Sequence, residues 1–192
     1  ARNSFITAGG QLAEQVLRTG DAFVIYNRDF TSALHDANGD SIAQGNQDIA
    51  VHVGTLHYTC KDVIRVFKGT MKPGDVYIIN DPYAGGTHLN DILMLYPVFH
   101  NGRLAMFMAT RCHWGDVGGM TPGSLSGRVK EIDQEGIRIT PTRICEKGRM
   151  NEAFLELLFN NMRIPAERKG DFNTMLGACR KAAEHVGRLF KR

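Results

Sequence analysis

The fold of this 192-residue chain is decided by residues 91–113, which read DILMLYPVFHNGRLAMFMATRCH. Two apolar runs lie on either side of the pair Asn101-Gly102. An Asn-Gly pair between apolar runs is the strongest short signal for a β-hairpin, because both residues tolerate the positive φ angles of a tight turn. The stretch therefore predicts two antiparallel strands joined by a short turn.

Two histidines and one aspartate occupy the open end of this predicted hairpin. His88 and Asp91 precede the first strand, and His113 ends the second. Because the start and the finish of a hairpin lie side by side, the three side chains can meet. Two imidazoles and a carboxylate suit a divalent metal and leave positions open for water or substrate, as in catalytic sites. The alternative is that a histidine in a glycine-rich loop only forms hydrogen bonds, since seven histidines make chance pairs easy.

The rest of the chain predicts an α+β fold, with a mostly antiparallel sheet in the first two thirds and helices in the last third. Turn signals and apolar spacing predict further strands at 22–26, 32–36, 41–44 and 76–80, and helices at 11–17, 56–67, after Asn151 and from Pro165. The glycine-rich residues 115–128 predict a loop. We expect residues 1–150 to form a β-rich region that carries the metal site. Residues 151–192 would form a helical region, and both would belong to one continuous fragment of a larger subunit.

Composition and charge argue against several classes of function. No apolar run approaches the roughly 20 residues that a membrane helix needs, and no signal-peptide pattern begins the chain. The net charge is only +3 and the basic residues are scattered, which does not indicate a nucleic-acid surface. The four cysteines form no Cys-x-x-Cys pair, and their wide spacing is typical of reduced cytosolic thiols. We therefore expect a cytoplasmic protein with neither a nucleic-acid nor a membrane partner.

Residues 74–123 carry a resemblance to a known family. They read GDVYIINDPYAGGTHLNDILMLYPVFHNGRLAMFMATRCHWGDVGGMTPG and contain Asn-Asp-Pro, Gly-Gly-Thr-His-x-x-Asp, Arg-x-His and Asp-Val-Gly-Gly-x-x-Pro-Gly. Further motifs fit at 28–34, 51–54, 134–139 and 161–163. On these motifs the chain resembles the hydantoinase B/oxoprolinase family over nearly its whole length. Members of that family are much longer, so the resemblance covers their amino-terminal part.

Four further polar residues are candidates for the site, Asp29 and His52 from the resemblance and Asp81 and Asp116 from their places in the sequence. Asp29, a turn residue if taken alone, matches an aspartate that approaches the metal in the hydrolase branch and is a candidate fourth ligand. His52, in Val-His-Val-Gly, is expected at the wall of the catalytic site. Asp81 either caps a strand end or orients substrate or acts as a general base. Asp116 is expected to fix the imidazole tautomer of His113 as an outer partner.

The resemblance also implies a function, the metal-containing subunit of an ATP-dependent hydrolase of cyclic amides such as hydantoins, lactams or 5-oxoproline. The cofactor would be a divalent zinc, manganese or iron ion, and ATP would be bound by an A-type partner subunit in a hetero-oligomer. The chain has neither a G-x-x-x-x-G-K-[ST] loop nor a G-x-G-x-x-G loop after a strand, which agrees with ATP binding elsewhere. Two alternatives stay open: an alpha-type subunit of an ATP-dependent ketone carboxylase, and a non-catalytic scaffold for the ATP-binding partner.

Three details near the metal motif bear on these alternatives. The runs 85–88 and 116–119 resemble the hydrolase branch, and ketone carboxylases of the acetone type depart from both. Trp114 stands where the hydrolases commonly have a second histidine. Cys112 precedes His113 in a strand, so its side chain should point to the opposite face and belong to the core.

Overall fold

The middle of the protein is a seven-stranded β-sheet. The computed structural model describes residues 2–19, 29–45 and 48–191, so the strand predicted at 22–26 lies outside the described residues. The strands are β1 (Phe30–Asp36), β2 (Ser41–Gln44), β3 (Val76–Ile79), β4 (Asp91–His100), β5 (Arg103–His113), β6 (Thr142–Glu146) and β7 (Arg149–Met150). Their order across the sheet is β2-β1-β5-β4-β3-β6-β7. Every neighbouring pair is antiparallel, and the predicted α+β class is confirmed.

The long hairpin of β4 and β5 forms as predicted. Its cross-strand pairs begin with Asp91 opposite His113 at the open end. Asn101 and Gly102 form the turn with φ angles of 49° and 73°, which is the left-handed conformation that Asn-Gly supplies at low cost. Register is strongly fixed in such a hairpin, because a slip by one residue would move every apolar side chain to the other face.

Four α-helices accompany the sheet within the described residues: α1 (Arg2–Thr19), α2 (Ala50–Val66), α3 (Glu152–Asn160) and α4 (Pro165–Leu189). The two helices predicted near the C-terminal end begin where the sequence signals place them. Asn151 caps α3 by accepting a hydrogen bond from the backbone N–H of Phe154, and Pro165 opens α4. Two short 3₁₀ helices lie at Pro82–Ala84 and Ile132–Gln134.

Helix α2 begins earlier than its apolar spacing predicts. It starts at Ala50 and not at Leu56, so His52 lies in the first helical turn. The residues after Ala50 include valines and a glycine, which are weak helix formers. Packing overrides this preference, because the buried side of α2 continues from His52 through Leu56 to Thr59, Cys60 and Val63 at helical spacing.

The two faces of the sheet bury separate clusters of apolar side chains. On one face, residues such as Ile92 and Met94 of β4 share a core with α1, α3 and α4. On the other face, the alternate residues Leu93 and Leu95 share a core with α2. Cys112 belongs to the first core, as predicted, and odd-numbered residues of β4 and β5 face α2. Asp91 and His113 therefore stand on the α2 side.

The hairpin of β6 and β7 is absent from the sequence-based prediction. Its turn is Lys147-Gly148, and both residues adopt positive φ angles of 48° and 86°. A lysine at the first turn position is an uncommon choice, and β7 is only two residues long. Both features hide the hairpin from sequence reasoning.

Among the described helices, none has the length and apolar character needed to cross a bilayer.

Candidate metal centre

Three of the predicted ligands meet in a nearly equilateral triangle of donor atoms. The Oδ1 atom of Asp91 lies 3.1 Å from Nε2 of His88 and 3.1 Å from Nδ1 of His113. The two imidazole nitrogens are 3.2 Å apart. Ligand atoms that bind one metal at about 2.1 Å lie about 3.0–3.4 Å from one another, so this triangle has the dimensions of one face of a coordination shell. We call His88, Asp91 and His113 the metal triad.

The hairpin itself positions the triad. Asp91 and His113 are direct cross-strand partners at the open end of β4 and β5, and both side chains stand on the α2 face. His88 is held in the preceding turn, where its carbonyl accepts a hydrogen bond from the backbone N–H of Asp91 at 3.0 Å. Asn90 ties the two strand ends together, because its side chain donates to the carbonyl of Trp114 at 2.8 Å.

Asp29 lies beside the triad, directly before β1. Its carbonyl accepts a hydrogen bond from the backbone N–H of His113 at 3.0 Å. Its carboxylate is 3.7 Å from Nδ1 of His113 and 3.9 Å from Nε2 of His52. The side chains of Asp29 and His88 are 35% and 34% exposed, whereas that of Asp91 is 1% exposed. Solvent therefore reaches the triad from the side of His88 and Asp29, where a fourth ligand, water or substrate could enter.

His52 was expected at the wall of the site, but in the structure it contacts the triad directly. Its Nε2 atom lies 3.0 Å from Oδ2 of Asp91, and its side chain is buried. The hydroxyl of Thr87 donates to the same oxygen. The sequence reasoning missed Thr87, although its place directly before His88 in a glycine-rich loop was a usable signal.

The cluster controls the charge of its members. Burial alone would raise the pKa of Asp91, but hydrogen bonds from His113, His52 and His88 outweigh burial and hold that pKa well below its usual range. Burial lowers the pKa of His88, but the hydrogen bond and charge of Asp91 outweigh that effect and raise it. The carboxylate is thus ionised and ready to bind a cation at neutral pH.

A buried arginine beside the cluster links strand β5 to helix α2 and to the loop at Gly85. Arg111 is fully buried two residues before His113, and its side chain lies on the same face of β5. Its guanidinium donates to the hydroxyls of Thr55 and Thr59 on α2, and more weakly to the carbonyl of Gly85 at 3.5 Å. Burial lowers the pKa of Arg111, while the charge of Asp91 opposes that change. The Arg-x-His motif by itself does not predict this role for Arg111, although a charged residue within an apolar strand is a signal that it has a buried partner.

Asp81 has the capping arrangement that formed one of its two predicted alternatives. Its Oδ1 atom accepts a hydrogen bond from the backbone N–H of Tyr83 at 3.0 Å, and its carbonyl accepts from Ala84 and Gly86, each at 3.1 Å. Within the described residues, no hydrogen bond or ion pair joins its carboxylate to the triad. Asp81 therefore shapes the loop that leads to His88, and the geometry offers no support for its catalytic role.

Asp116 has different partners from those predicted. Its carboxylate accepts hydrogen bonds from the backbone N–H groups of Gly118, Gly123 and Arg163, and it pairs with the guanidinium of Arg163 at 3.1 Å. These bonds outweigh burial and lower the pKa of Asp116. None of its contacts within the described part of the chain reaches His113. The expected role in fixing that imidazole is thus replaced by a role in folding the glycine-rich loop.

Trp114 does not line the cluster. Its side chain is fully buried, its ring stacks with Phe159 at a centroid distance of 6.2 Å, and its Nε1 lies 3.4 Å from Sδ of Met175. It therefore packs in the core under α3 and α4. The departure from histidine at this position changes the core and not the surface near the triad.

The donor set fits a divalent cation. Three ligand atoms from His88, Asp91 and His113 lie within 4.8 Å of one another, and no comparable group of ligands is found elsewhere in the described residues. Imidazole nitrogen and carboxylate oxygen are donors that zinc, manganese and iron accept. His52 and Thr87 contact the Asp91 carboxylate, and Arg111 and Thr59 hydrogen-bond to each other beside the Gly85 carbonyl.

Comparisons with known proteins agree on one family. The family model described as Hydantoinase B/oxoprolinase matches residues 1–192. The chain is 37% identical over 164 residues to the caprolactamase subunit beta of Pseudomonas jessenii, which covers 85% of this chain and 28% of that protein. It is 31% identical over 186 residues to the 5-oxoprolinase of Dictyostelium discoideum, which covers 96% of this chain and 15% of that protein. The chain thus spans less than a third of the length of these relatives.

Two solved structures share the fold of this chain. The crystal structure of the ATP-dependent caprolactamase from Pseudomonas jessenii matches with a TM-score of 0.92 and 33% identity, over all of this chain and 33% of that one. The nucleotide-free structure of an acetone carboxylase matches with a TM-score of 0.88 and 20% identity, over 97% of this chain and 25% of that one. At 20% identity the second likeness shows a shared fold alone.

Proposed function

The chain belongs to the hydantoinase B/oxoprolinase family, and we propose that it is the metal-binding part of a subunit in an ATP-dependent cyclic amide hydrolase. The substrate class would be hydantoins, lactams or 5-oxoproline. The observation that carries the proposal is the triangle of Asp91 Oδ1, His88 Nε2 and His113 Nδ1, with sides of 3.1, 3.1 and 3.2 Å. Relatives named as a caprolactamase subunit and a 5-oxoprolinase support the choice of substrate class.

Four residues of the chain would bind the metal ion. His88, Asp91 and His113 would hold one zinc, manganese or iron ion, and Asp29 would be the fourth ligand on the solvent side. A bound divalent metal lowers the pKa of its water toward about 7 or polarises a carbonyl oxygen. The chain supplies a carboxylate at Asp91 that is ionised at neutral pH. The partly exposed side chains of His88 and Asp29 mark the side from which substrate would approach the ion.

ATP would act from a partner. The sequence lacks a phosphate-binding loop, and a relative is named subunit beta of an ATP-dependent enzyme. We propose a hetero-oligomer with an A-type ATP-binding subunit in the cytoplasm. Phosphorylation of the amide oxygen there would make the carbon a better electrophile than an unactivated amide, which is a poor target for water at neutral pH.

A ketone carboxylase is the second candidate function. The family resemblance leaves it open, and the fold shared with acetone carboxylase is compatible with either function. The sequence around the triad favours hydrolysis, because the Gly85-Gly86-Thr87 run and the Gly118-Gly119 pair resemble the hydrolase branch. A scaffold without catalysis is the third candidate, and it would not need a stoichiometric metal.

Assays of the full-length protein, co-purified with its partner, test the proposal. ATP-dependent opening of a hydantoin, a lactam or 5-oxoproline, with one metal ion per subunit, is the expected result. Bicarbonate-dependent carboxylation of a ketone, with no cyclic amide opened, would overturn it in favour of the second candidate. Native mass spectrometry tests the assembly, since a monomer that turns over substrate alone would contradict the hetero-oligomer.

A further inference from the structure

The two oxygens of the Asp91 carboxylate have separate surroundings. Oδ1 completes the triangle with His88 and His113, at 3.1 Å from each imidazole nitrogen. Oδ2 points away from that triangle and receives two donors, Nε2 of His52 at 3.0 Å and the hydroxyl of Thr87. Oδ1 thus faces the two imidazoles of the triad, and Oδ2 is held by His52 and Thr87.

This division determines how Asp91 can bind a cation. A free carboxylate can bind a metal through one oxygen or through both, and it can rotate between these arrangements. Two hydrogen bonds to Oδ2 oppose that rotation and compete with any metal for its lone pairs. We propose that His52 and Thr87 are positioning residues that hold Asp91 as a ligand through Oδ1 alone. This inference rests on the proposed metal-dependent function of the triad.

His52 is placed for this task by the packing of α2. The residue lies in the first turn of that helix and is 2% exposed. Its other ring nitrogen, Nδ1, is buried and has no hydrogen-bond partner within the described residues. Apart from the more distant Asp29 at 3.9 Å, the polar contact of this ring is with Asp91.

Thr87 is placed by the loop that also carries His88. The two residues are adjacent, so the turn that delivers an imidazole to Oδ1 also delivers a hydroxyl to Oδ2. The loop is pressed against α2 at Gly85, where the hydroxyl of Thr59 donates to the Gly85 carbonyl at 2.6 Å. Both positioning residues are thus fixed relative to α2, and through it to each other.

Metal affinity measured on matched variants tests the inference. The full-length protein is stripped with a chelator and titrated with Co²⁺ in competition with a chromophoric chelator. His52→Leu removes the donor, and His52→Gln restores an N–H near the position of Nε2. Thr87→Val and Thr87→Ser form the matching pair for the hydroxyl. Loss of an outer partner of a metal ligand typically weakens affinity about 10- to 100-fold. We expect that loss of affinity for His52→Leu and Thr87→Val. His52→Gln and Thr87→Ser should bind Co²⁺ with an affinity near that of wild type.

The readouts distinguish this inference from its rivals. At saturating metal, bound Co²⁺ should keep its nitrogen ligands in His52→Leu. In His52→Leu/Thr87→Val its visible absorption should weaken, because a freed Oδ2 lets Asp91 bind through both oxygens and raises the coordination number. An unchanged spectrum in that double variant would overturn the inference. A spectrum that shows one nitrogen ligand fewer would make His52 a direct ligand and overturn the inference. Affinities of His52→Leu and Thr87→Val equal to that of wild type would also overturn it. If His52→Leu does not fold, the Thr87 pair decides alone, with the thermal midpoint of the metal-free protein as the folding control. A wild-type protein that binds no Co²⁺ would instead refute the proposed function.

Discussion

Asp91 and His113 stand opposite each other as the last cross-strand pair at the open end of the long hairpin, with Oδ1 and Nδ1 3.1 Å apart. The contact joins residues 22 positions apart in the chain. It depends on the register of the hairpin, since a slip by one residue would turn one of the two side chains to the opposite face. The turn at Asn101-Gly102 therefore sets the register that brings Asp91 and His113 of the metal triad together.

Removal of a triad imidazole should remove the metal. His88→Ala and His113→Ala should each lose the bound ion and the hydrolase activity, because a methyl group cannot replace a nitrogen ligand. Metal content of the purified variants, measured by elemental analysis, checks this. His100→Ala is the matched control, because His100 ends the same strand β4 about 30 Å from Asp91. Full metal and full activity in His88→Ala would make the cluster structural.

Loss of the Asp116 charge should weaken the fold more than the metal site. Asp116→Asn removes the charge that pairs with Arg163 and replaces one carboxylate oxygen by an NH2 group, so one of the two backbone N–H groups of Gly118 and Gly123 loses its acceptor. Unsatisfied buried groups cost about 1–3 kcal/mol each, so we expect the free energy of unfolding to fall by about 2 kcal/mol. Urea unfolding and metal content measured together check the prediction. If Asp116→Asn has normal stability and loses most of its metal, Asp116 acts as an outer partner of His113 after all.

A methyl group at Gly85 should disturb the loop that carries the triad. Gly85 has a φ of +81°, and an added Cβ would lie 2.7 Å from Cβ of Tyr58 and 2.9 Å from the backbone nitrogen of Thr59. Gly85→Ala should therefore lower both the free energy of unfolding, by more than about 1 kcal/mol, and the metal affinity.

Gly54→Ala is the control for that variant. Gly54 lies within α2, and an added Cβ meets no heavy atom within 4 Å. Alanine should stabilise the helix there by up to about 1 kcal/mol, because glycine is a weaker helix former. Equal stability of the two variants in thermal unfolding would show that the Gly85 backbone is not strained by a side chain.

His35 should make the protein less stable in mild acid. Burial lowers the pKa of His35 to about 4, and its Nδ1 lies 3.1 Å from the carbonyl of Gly39. In the unfolded chain the pKa is about 6.5, so between these values the unfolded state binds more protons. Stability should thus fall as the pH drops through about 6.5 toward 4.

The size of this effect follows from linkage. Between pH 8 and pH 5, His35 should contribute a loss of about 2 kcal/mol in the free energy of unfolding. Urea titrations of wild type and His35→Gln at both pH values give the difference that belongs to this residue alone. An identical loss in the variant would show that other groups carry the pH dependence.

The sequence by itself determined the features that depend on neighbouring residues. The Asn101-Gly102 turn, the Asn151 cap and the start of α4 at Pro165 all follow from local backbone chemistry. The meeting of Asp91 and His113 follows from the hairpin, because a tight turn fixes which strand ends lie together. The family resemblance then suggested the substrate class that we propose, which no geometry of three ligands could supply.

The tertiary structure alone decided which side chains support those ligands. His52 reaches Asp91 across 39 residues because α2 packs on the sheet with its first turn over the open end of the hairpin. Arg163 reaches Asp116 across 47 residues and takes that carboxylate away from its predicted role. Such contacts depend on how a helix or loop docks on a sheet, and docking is set by packing of whole faces and not by local turn chemistry. Residues 91–113 therefore predict a metal site, and only the packed molecule shows how its carboxylate is held.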